Sequence, residues 1–547
     1  MSVRRGFLCL CAVVATIGCA SHLRAQVLTV TVSSASDLVT QLRTVLVAAD
    51  PEGAKPALDA LGVFDNEGFL KGLDRTKPIV ATLDFIPQPR AGPMGVPVVT
   101  AFVPVTSQAD LLESLKGMGL AIDDQAGVEG FSHKLAPPGG TAPPVYVLTS
   151  PPAGYSVATN VPSNPAKPRA VKPESLKPTR PGALLASLRL DRVSDPIKTA
   201  ILENMKQRND QTRQREVGET EQQYKARMAG LSLVANSFNS LVRDGRELSL
   251  AIDVDAKRGR FSVGLAVDAK PNTPMAAALA SFATRKSRFR GLSHGSAVSL
   301  GGVLPIPEPL REAIREGIKS SRENAKKQAE PDTLLDQVVT TLEPTLTGSE
   351  VDGWMIMDAA EAAKDKASSN VVLFGVAIKD SKKLEASLRE VLAKAKPEDR
   401  TNAALDLDHG DDGTPIHRFT GGAGSLKPAE FGQPLFFLAF PEGAVLISVG
   451  ENGLPVLKKA LATLKRPADA PGPQAALEFL ANRFGLLKMD NQEQFQQAAR
   501  VAFAGENSGK GHLSIQLTGT PADARLTLES DLPVLHFFAV AGAAQRK

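Results

Sequence analysis

At 547 residues, with 43% hydrophobic and 22% charged side chains, the chain is too long for one ordinary domain and too apolar for disorder. Its formal charge is +4; Arg4, Arg5 and Arg24 in the first 25 residues have no acid beside them, so removing three cations leaves +1, no electrostatic footprint for nucleic acid. All three cysteines (Cys9, Cys11, Cys19) lie in the same leader, so cleavage after it would exclude disulfides, thiolate catalysis and cysteine-held metals.

Residues 1–25 carry the signal-peptide pattern: a basic start, the apolar run "FLCLCAVVATIG", and a small residue, Ala25, at the cleavage point. The run is too short to span a bilayer, and no later run approaches that length. The expectation is an exported protein, periplasmic or extracellular, with no transmembrane segment. The alternative is lipid anchoring through Cys19, because "TIGC" resembles a lipobox, although Thr16 departs from that pattern.

Along the chain, "PIVATLDFI" (78–86) predicts a strand. "VVTAFVPVTSQADLLESL" (98–115) predicts a buried strand, a polar cap and an amphipathic helix. "FSHKL" (131–135) and "PVYVLTSPPAGYSVAT" (144–159) then predict strands joined by a Pro/Gly turn. Residues 151–181 hold eight prolines with Lys167, Arg169, Lys172, Lys177 and Arg180. That composition predicts an extended connector, or a basic strip touching an acidic envelope polymer. Residues 196–245, with "KQRNDQTRQREVGETEQQYKARM", predict a long charged helix with a solvated face. A hairpin follows at "LSLAIDVDAKRGRFSVGLAV" (248–267). A helix at 307–328 places Leu310, Ile314 and Ile318 on one stripe.

From residue 352 the same grammar returns. "DGWMIMDA" (352–359) predicts a strand, and "VVLFGVAIKDSKKLEASL" (371–388) aligns without a gap with 98–115 at an offset of 273. "PIHRF" (415–419) and "PLFFLAFPEGAVLISV" (434–449) echo the first hairpin, and "LSIQLTGTPADARLTLESDL" (513–532) echoes 248–267 at an offset of 265. The expected fold is therefore α+β in two related halves, residues 26–290 and 291–547. Each half would hold a mainly antiparallel sheet with helices packed on one face. A period this long excludes a solenoid or propeller.

The chemistry-bearing motifs are few. "GENSGKGH" (505–512) imitates a phosphate loop, but Ala504 stands where glycine is required, Gly511 replaces Ser/Thr, and a strand follows in place of a helix. There is no Gly-x-Ser-x-Gly and no His-Glu-x-x-His. Outside the leader the histidines are His133, His294, His409, His417, His512 and His536, and only His409 and His417 are close in sequence. One Trp and three Tyr are few for a sugar cleft or a base-stacking platform.

One stretch stands out: "LDLDHGDDGTPIHR" (405–418), with Asp406, Asp408, His409, Asp411 and Asp412 as candidate metal ligands. It falls short of a calcium loop, since Gly410 takes the third ligand position and no Glu closes it. Asp406 and Asp408 alternate with Leu405 and Leu407, as on an amphipathic hairpin edge, and "GDDG" suits a turn. The equivalent region of the first half, "AIDDQAGVEGFSHKL", is about eleven residues shorter and has no such cluster. What recurs is His133-Lys134-Leu135 against His417-Arg418-Phe419, the mark of shared packing.

"GLDRTKP" (72–78), "FVPVTS" (102–107), "ETEQQYKARM" (219–228), "LSLAIDVD" (248–255) and "IHRFT" (416–420) resemble segments of a family of exported, uncharacterised planctomycete-type proteins. The resemblance implies export and a duplicated α+β framework, and it brings no activity, cofactor or catalytic residue. The expected role is a non-catalytic scaffold or binding protein of the periplasm or cell envelope. Its partner would be an envelope polymer or protein, and no cofactor is expected. The alternative is a metal-dependent hydrolase at 406–412.

Overall fold

The structure, a computed structural model, describes residues 23–544 apart from 67, 87–95, 137–142, 163–170, 172–181, 213, 216–217, 294, 307, 327–332, 360–368, 396, 422–426, 466–472 and 491. Most of the leader, most of the Pro-rich connector and His294 lie outside the described residues. The chain forms two compact units, Met1–Met205 with Ser240–Ala276, and Lys206–Asn239 with Ala277–Lys547. Among the described residues no helix is long and apolar enough to cross a membrane.

The first unit contains β1 (Leu23–Val32), β2 (Ile79–Ile86), β3 (Val96–Pro104), β4 (Ala121–Asp123), β5 (Phe131–Ala136), β6 (Val145–Leu148), β7 (Tyr155–Thr159), β8 (Leu184–Leu188), β9 (Gly245–Asp255) and β10 (Arg260–Ala269). They pair in the order β10-β9-β8-β1-β2-β3-β7-β6-β5-β4, every pair antiparallel. Helices α1 (Ala35–Ala49), α2 (Lys55–Gly62) and α3 (Gln108–Gly117) belong to this unit. The Ser107 hydroxyl caps α3 by accepting from the Asp110 amide. Leu112 of α3 packs on Leu135 and Val147.

The charged segment expected as one long helix is two, α4 (Asp195–Gln211) and α5 (Glu221–Asp244). Gly218, at φ +87°, lies in the break between them. The second helix opens on a reciprocal cap, in which the Thr220 hydroxyl accepts from the Gln223 amide and the Gln223 side-chain oxygen accepts from the Thr220 amide.

The second unit contains β11 (Val298–Pro305), β12 (Glu350–Ala359), β13 (Asn370–Ala377), β14 (Ala403–His409), β15 (Pro415–Thr420), β16 (Leu435–Ala439), β17 (Ala444–Val449), β18 (Ala475–Leu480), β19 (His512–Gly519) and β20 (Asp523–Asp531). Their order is β20-β19-β18-β11-β12-β13-β17-β16-β15-β14, again antiparallel throughout. Raising each strand number of the first unit by ten gives this order. Its helices include α6 (Glu308–Lys326), α7 (Thr333–Leu346), α8 (Ser381–Lys394), α9 (Gly453–Leu464), α10 (Gln492–Ala502) and α11 (Leu532–Ala544). Asp380 caps α8 at the position equivalent, at the 273-residue offset, to Ser107.

Helices on one face only is not what this unit has. Leu457, Ala460 and Leu461 of α9 pack against Trp354, Ile356 and Leu446 on one face of the sheet. Leu384 and Leu388 of α8 and Leu342 of α7 pack with Val445 and Ile447 on the other, as do α10 and α11 with Phe479 and Leu513. The physical reason is composition. β13 and β17 carry apolar residues at consecutive positions, so both faces need cover. The chain's one Trp, Trp354, donates its indole N–H to the Ser299 hydroxyl at 2.8 Å. Its ring lies over Gly301, where a Cβ would stand 2.5 Å from it.

Candidate functional site

The 405–418 stretch becomes β14, a turn and β15. Thr414 and Gly413 close the turn through the Gly410 backbone, and the Asp412 carboxylate accepts from the Thr414 amide at 3.0 Å. Within β14 the register slips: Ala404 faces Arg418 and Asp408 faces Ile416, so Leu405, Asp406 and Leu407 together stand opposite His417. This is a bulge, and Asp406 adopts φ +51° in it, a conformation that Asp tolerates better than most residues.

The bulge aims the Asp406 amide at the ring of His417, which is fully buried; the amide donates to Nδ1 at 3.2 Å. Nδ1 is therefore the acceptor, and the neutral ring carries its proton on Nε2. That Nε2 has no hydrogen-bond partner and stands 3.5 Å from the Glu385 carboxylate of α8. Glu385 is itself buried. It accepts from Arg389 at 2.8 and 3.2 Å and from Lys382 at 3.1 Å. Arg389 also donates to both oxygens of Asp406, at 2.6 and 2.8 Å.

The electrostatics follow from these contacts. Burial pushes the Glu385 carboxyl up, but Arg389 and Lys382 outweigh it and hold the group below its ordinary value. Arg389 holds Asp406 below the usual carboxylate range and is itself raised by the two acids. Burial, with the Arg389 cation beside it, lowers His417, against the pull of Glu385 and Asp406. Lys458, 2.7 Å away, lowers the exposed Asp408.

The four aspartates and one histidine considered as metal ligands are thus separated by role. Asp406 pairs with Arg389, Asp408 with Lys458, Asp412 serves the turn, and His409 and Asp411 face solvent. Among the described residues no group of three or more His, Asp or Glu is arranged to hold a metal ion. Sequence reasoning passed over Glu385, Arg389 and Lys382. Their i, i+3 and i, i+4 spacing on α8 was the available signal. At the 273-residue offset, Glu385 stands where the first unit has Leu112.

His417 also ends a row of residues on one sheet face. Leu528, Ile515, Leu477, Leu300, Met355, Phe374, Ile447, Leu438 and His417 are cross-strand neighbours from β20 to β15. The matching row of the first unit runs Leu265, Leu250, Ala186, Val30, Ala81, Ala101, Ala158, Val147 and His133. In the second unit the middle of the row is open, with Leu300 47% and Phe374 39% exposed. No family model, no curated protein and no solved structure matches the chain.

Proposed function

We propose that the chain is an exported, non-catalytic binding or scaffold protein of the periplasm or cell envelope, built from two copies of one ten-strand plan. Export rests on the leader pattern of residues 1–25, and the resemblance to exported planctomycete-type proteins is in keeping with it. Duplication is supported by the shared strand order and by the two rows that end on His133 and His417. A binding role is carried by one observation, the apolar row across β11, β12 and β13. A strand with one face in water normally alternates apolar and polar residues, so that the wet face is polar. Here Leu300, Leu304, Phe374 and Val376 are all more than a third exposed. Metal-dependent hydrolysis at 406–412 has less support, because Asp406 and Asp408 are already held by cations.

Titration with the apolar dye 8-anilinonaphthalene-1-sulfonate tests the binding role. The folded protein should enhance its fluorescence, and the double variant Leu300→Glu/Phe374→Glu should lose most of that signal. Equal enhancement by both proteins, or none by either, would remove the support. Mass spectrometry of the secreted protein tests export: an N-terminus at Gln26 is expected, whereas an acylated Cys19 would mark a lipid-anchored protein.

A further inference from the structure

Within the second unit, β14 is an edge strand among the described residues, hydrogen-bonded only to β15. Two residue pairs on each side of the bulge join it to β15 directly, and across the bulge itself the link passes through an unusual intermediary. The amide of Asp406 is bonded to an imidazole nitrogen, where a regular strand would offer a carbonyl. The first unit shows that the fold does not require this. There, the helix beside the row-ending histidine presents Leu112, packed on Leu135 and Val147, and the acid near His133 is the exposed Asp124, 3.8 Å from Nε2. A buried polar cluster that brings little or no net stability calls for another explanation.

We propose that His417 is an acid-operated latch: a proton taken up at Nδ1 displaces the Asp406 amide and releases the bulge of β14 from β15. The added proton occupies the lone pair that now accepts the amide, so two N–H groups would face each other at 3.2 Å. An alternative acceptor is at hand, since Asp406 Oδ1 lies 3.9 Å from Nδ1. Reaching it requires the bulge to relax from its positive φ and the carboxylate to leave Arg389. On the other side of the ring, the Nε2–H gains a stronger attraction to Glu385, 3.5 Å away, which steadies the imidazolium.

The charged groups around the ring are Lys382, Glu385 and Arg389 from α8 and Asp406 from β14. With His417 neutral, two cations balance two anions. β16 contributes only Leu438 and the nearby ring of Phe440, 5.8 Å from that of His417. Arg418, next on β15, occupies the alternate face. Burial and Arg389 hold His417 neutral at neutral pH, so the latch stays closed until the solution is more acidic than the ordinary histidine value. Release would open the stretch of β14 between the Ala404–Arg418 and Asp408–Ile416 pairs, and so uncover the middle of β15.

Hydrogen exchange read by mass spectrometry over 403–420, corrected for the intrinsic rate, tests this on the full chain. Protection in the wild type should fall by about tenfold or more between about pH 7.5 and about pH 5. In His417→Gln, whose amide can accept from Asp406 and cannot titrate, protection should stay level. Unchanged protection in the wild type, or an equal fall in the variant, overturns the proposal. Should the variant not fold, the histidine resonances of the wild type decide. A His417 titration midpoint that matches the loss of protection supports the latch, and a separate midpoint refutes it.

Discussion

Replacing Glu385 by Leu gives the second unit the residue that the first unit has at the same place, Leu112. The change removes the hydrogen bonds from Arg389 and Lys382. Arg389 keeps Asp406, and Lys382, largely exposed, returns to water, so the loss is about 1–3 kcal/mol. Against it stands the burial of a leucine side chain, about 1.5–3 kcal/mol, at a site with little access to solvent. The net change for Glu385→Leu should lie within about 1 kcal/mol of zero, whereas Glu385→Ala, with the bonds lost and a void left, should cost about 2–4 kcal/mol. Urea unfolding followed by tryptophan fluorescence is the assay, because the only Trp, Trp354, is buried in the core of this unit and reports on it. A loss beyond about 3 kcal/mol for the leucine variant would refute the reasoning, since the carboxylate would then be the tie between α8 and the hairpin. The same variant removes a charge that holds His417 up, so its hairpin should open at lower pH than the wild type.

Four further variants have outcomes that follow from local geometry. Gly301→Ala would set a Cβ 2.5 Å from the Trp354 ring and should lower the urea midpoint by the equivalent of about 2–3 kcal/mol. Gly353→Ala, with nothing nearer than 3.6 Å, should stay within about 0.5 kcal/mol. Burial pushes the Asp352 carboxyl up, despite hydrogen bonds from Ser287 and the Arg288 amide. Its folded value is raised, so its contribution is present below the ordinary Asp value and is lost as pH rises through the raised one. Wild-type stability relative to Asp352→Asn should therefore decline as pH rises across that window, and a constant difference would contradict the assignment. Lys198 is buried and lowered, first by burial and then by the neighbouring Lys270 cation. Lys198→Met should leave the melting temperature of the first unit unchanged or raised in calorimetry, and a clear fall would show that the amine is a net support.

Much of this architecture was legible from periodicity and self-similarity. The offset of 273 paired "VVTAFVPV" with "VVLFGVAI", and these are β3 and β13. The tripeptide match paired His133 with His417, and each ends the corresponding cross-strand row of its own unit. What stayed hidden was contact across sequence. Nothing in "LDLDHGDDG" announces a bulge at Asp406, because the slip depends on where β15 and α8 lie. The partners of Asp406 and Asp408, Arg389 and Lys458, are 17 and 50 residues away. Helices on both faces were missed for a related reason. A strand with consecutive apolar residues gives no sign of which neighbour covers which side.

The two units share a strand order but differ in the side chains of these rows. From β1 to β7 the first row is Val30, Ala81, Ala101 and Ala158, side chains too small to reach far above the sheet. The second puts Leu300, Met355, Phe374 and Ile447 at the same places, and two of these, Leu300 and Phe374, remain partly in water. Stability alone gives no reason to enlarge exposed apolar groups, because area left in contact with water contributes nothing to folding. The buried Glu385 replacing a leucine departs from the first unit in the opposite sense, adding charge where apolar packing suffices. Both departures lie on one face of one unit, and both run against what the fold needs. Under the binding role proposed above, that coincidence makes the open face of the second unit, with His417 at the end of its row, the first surface to test.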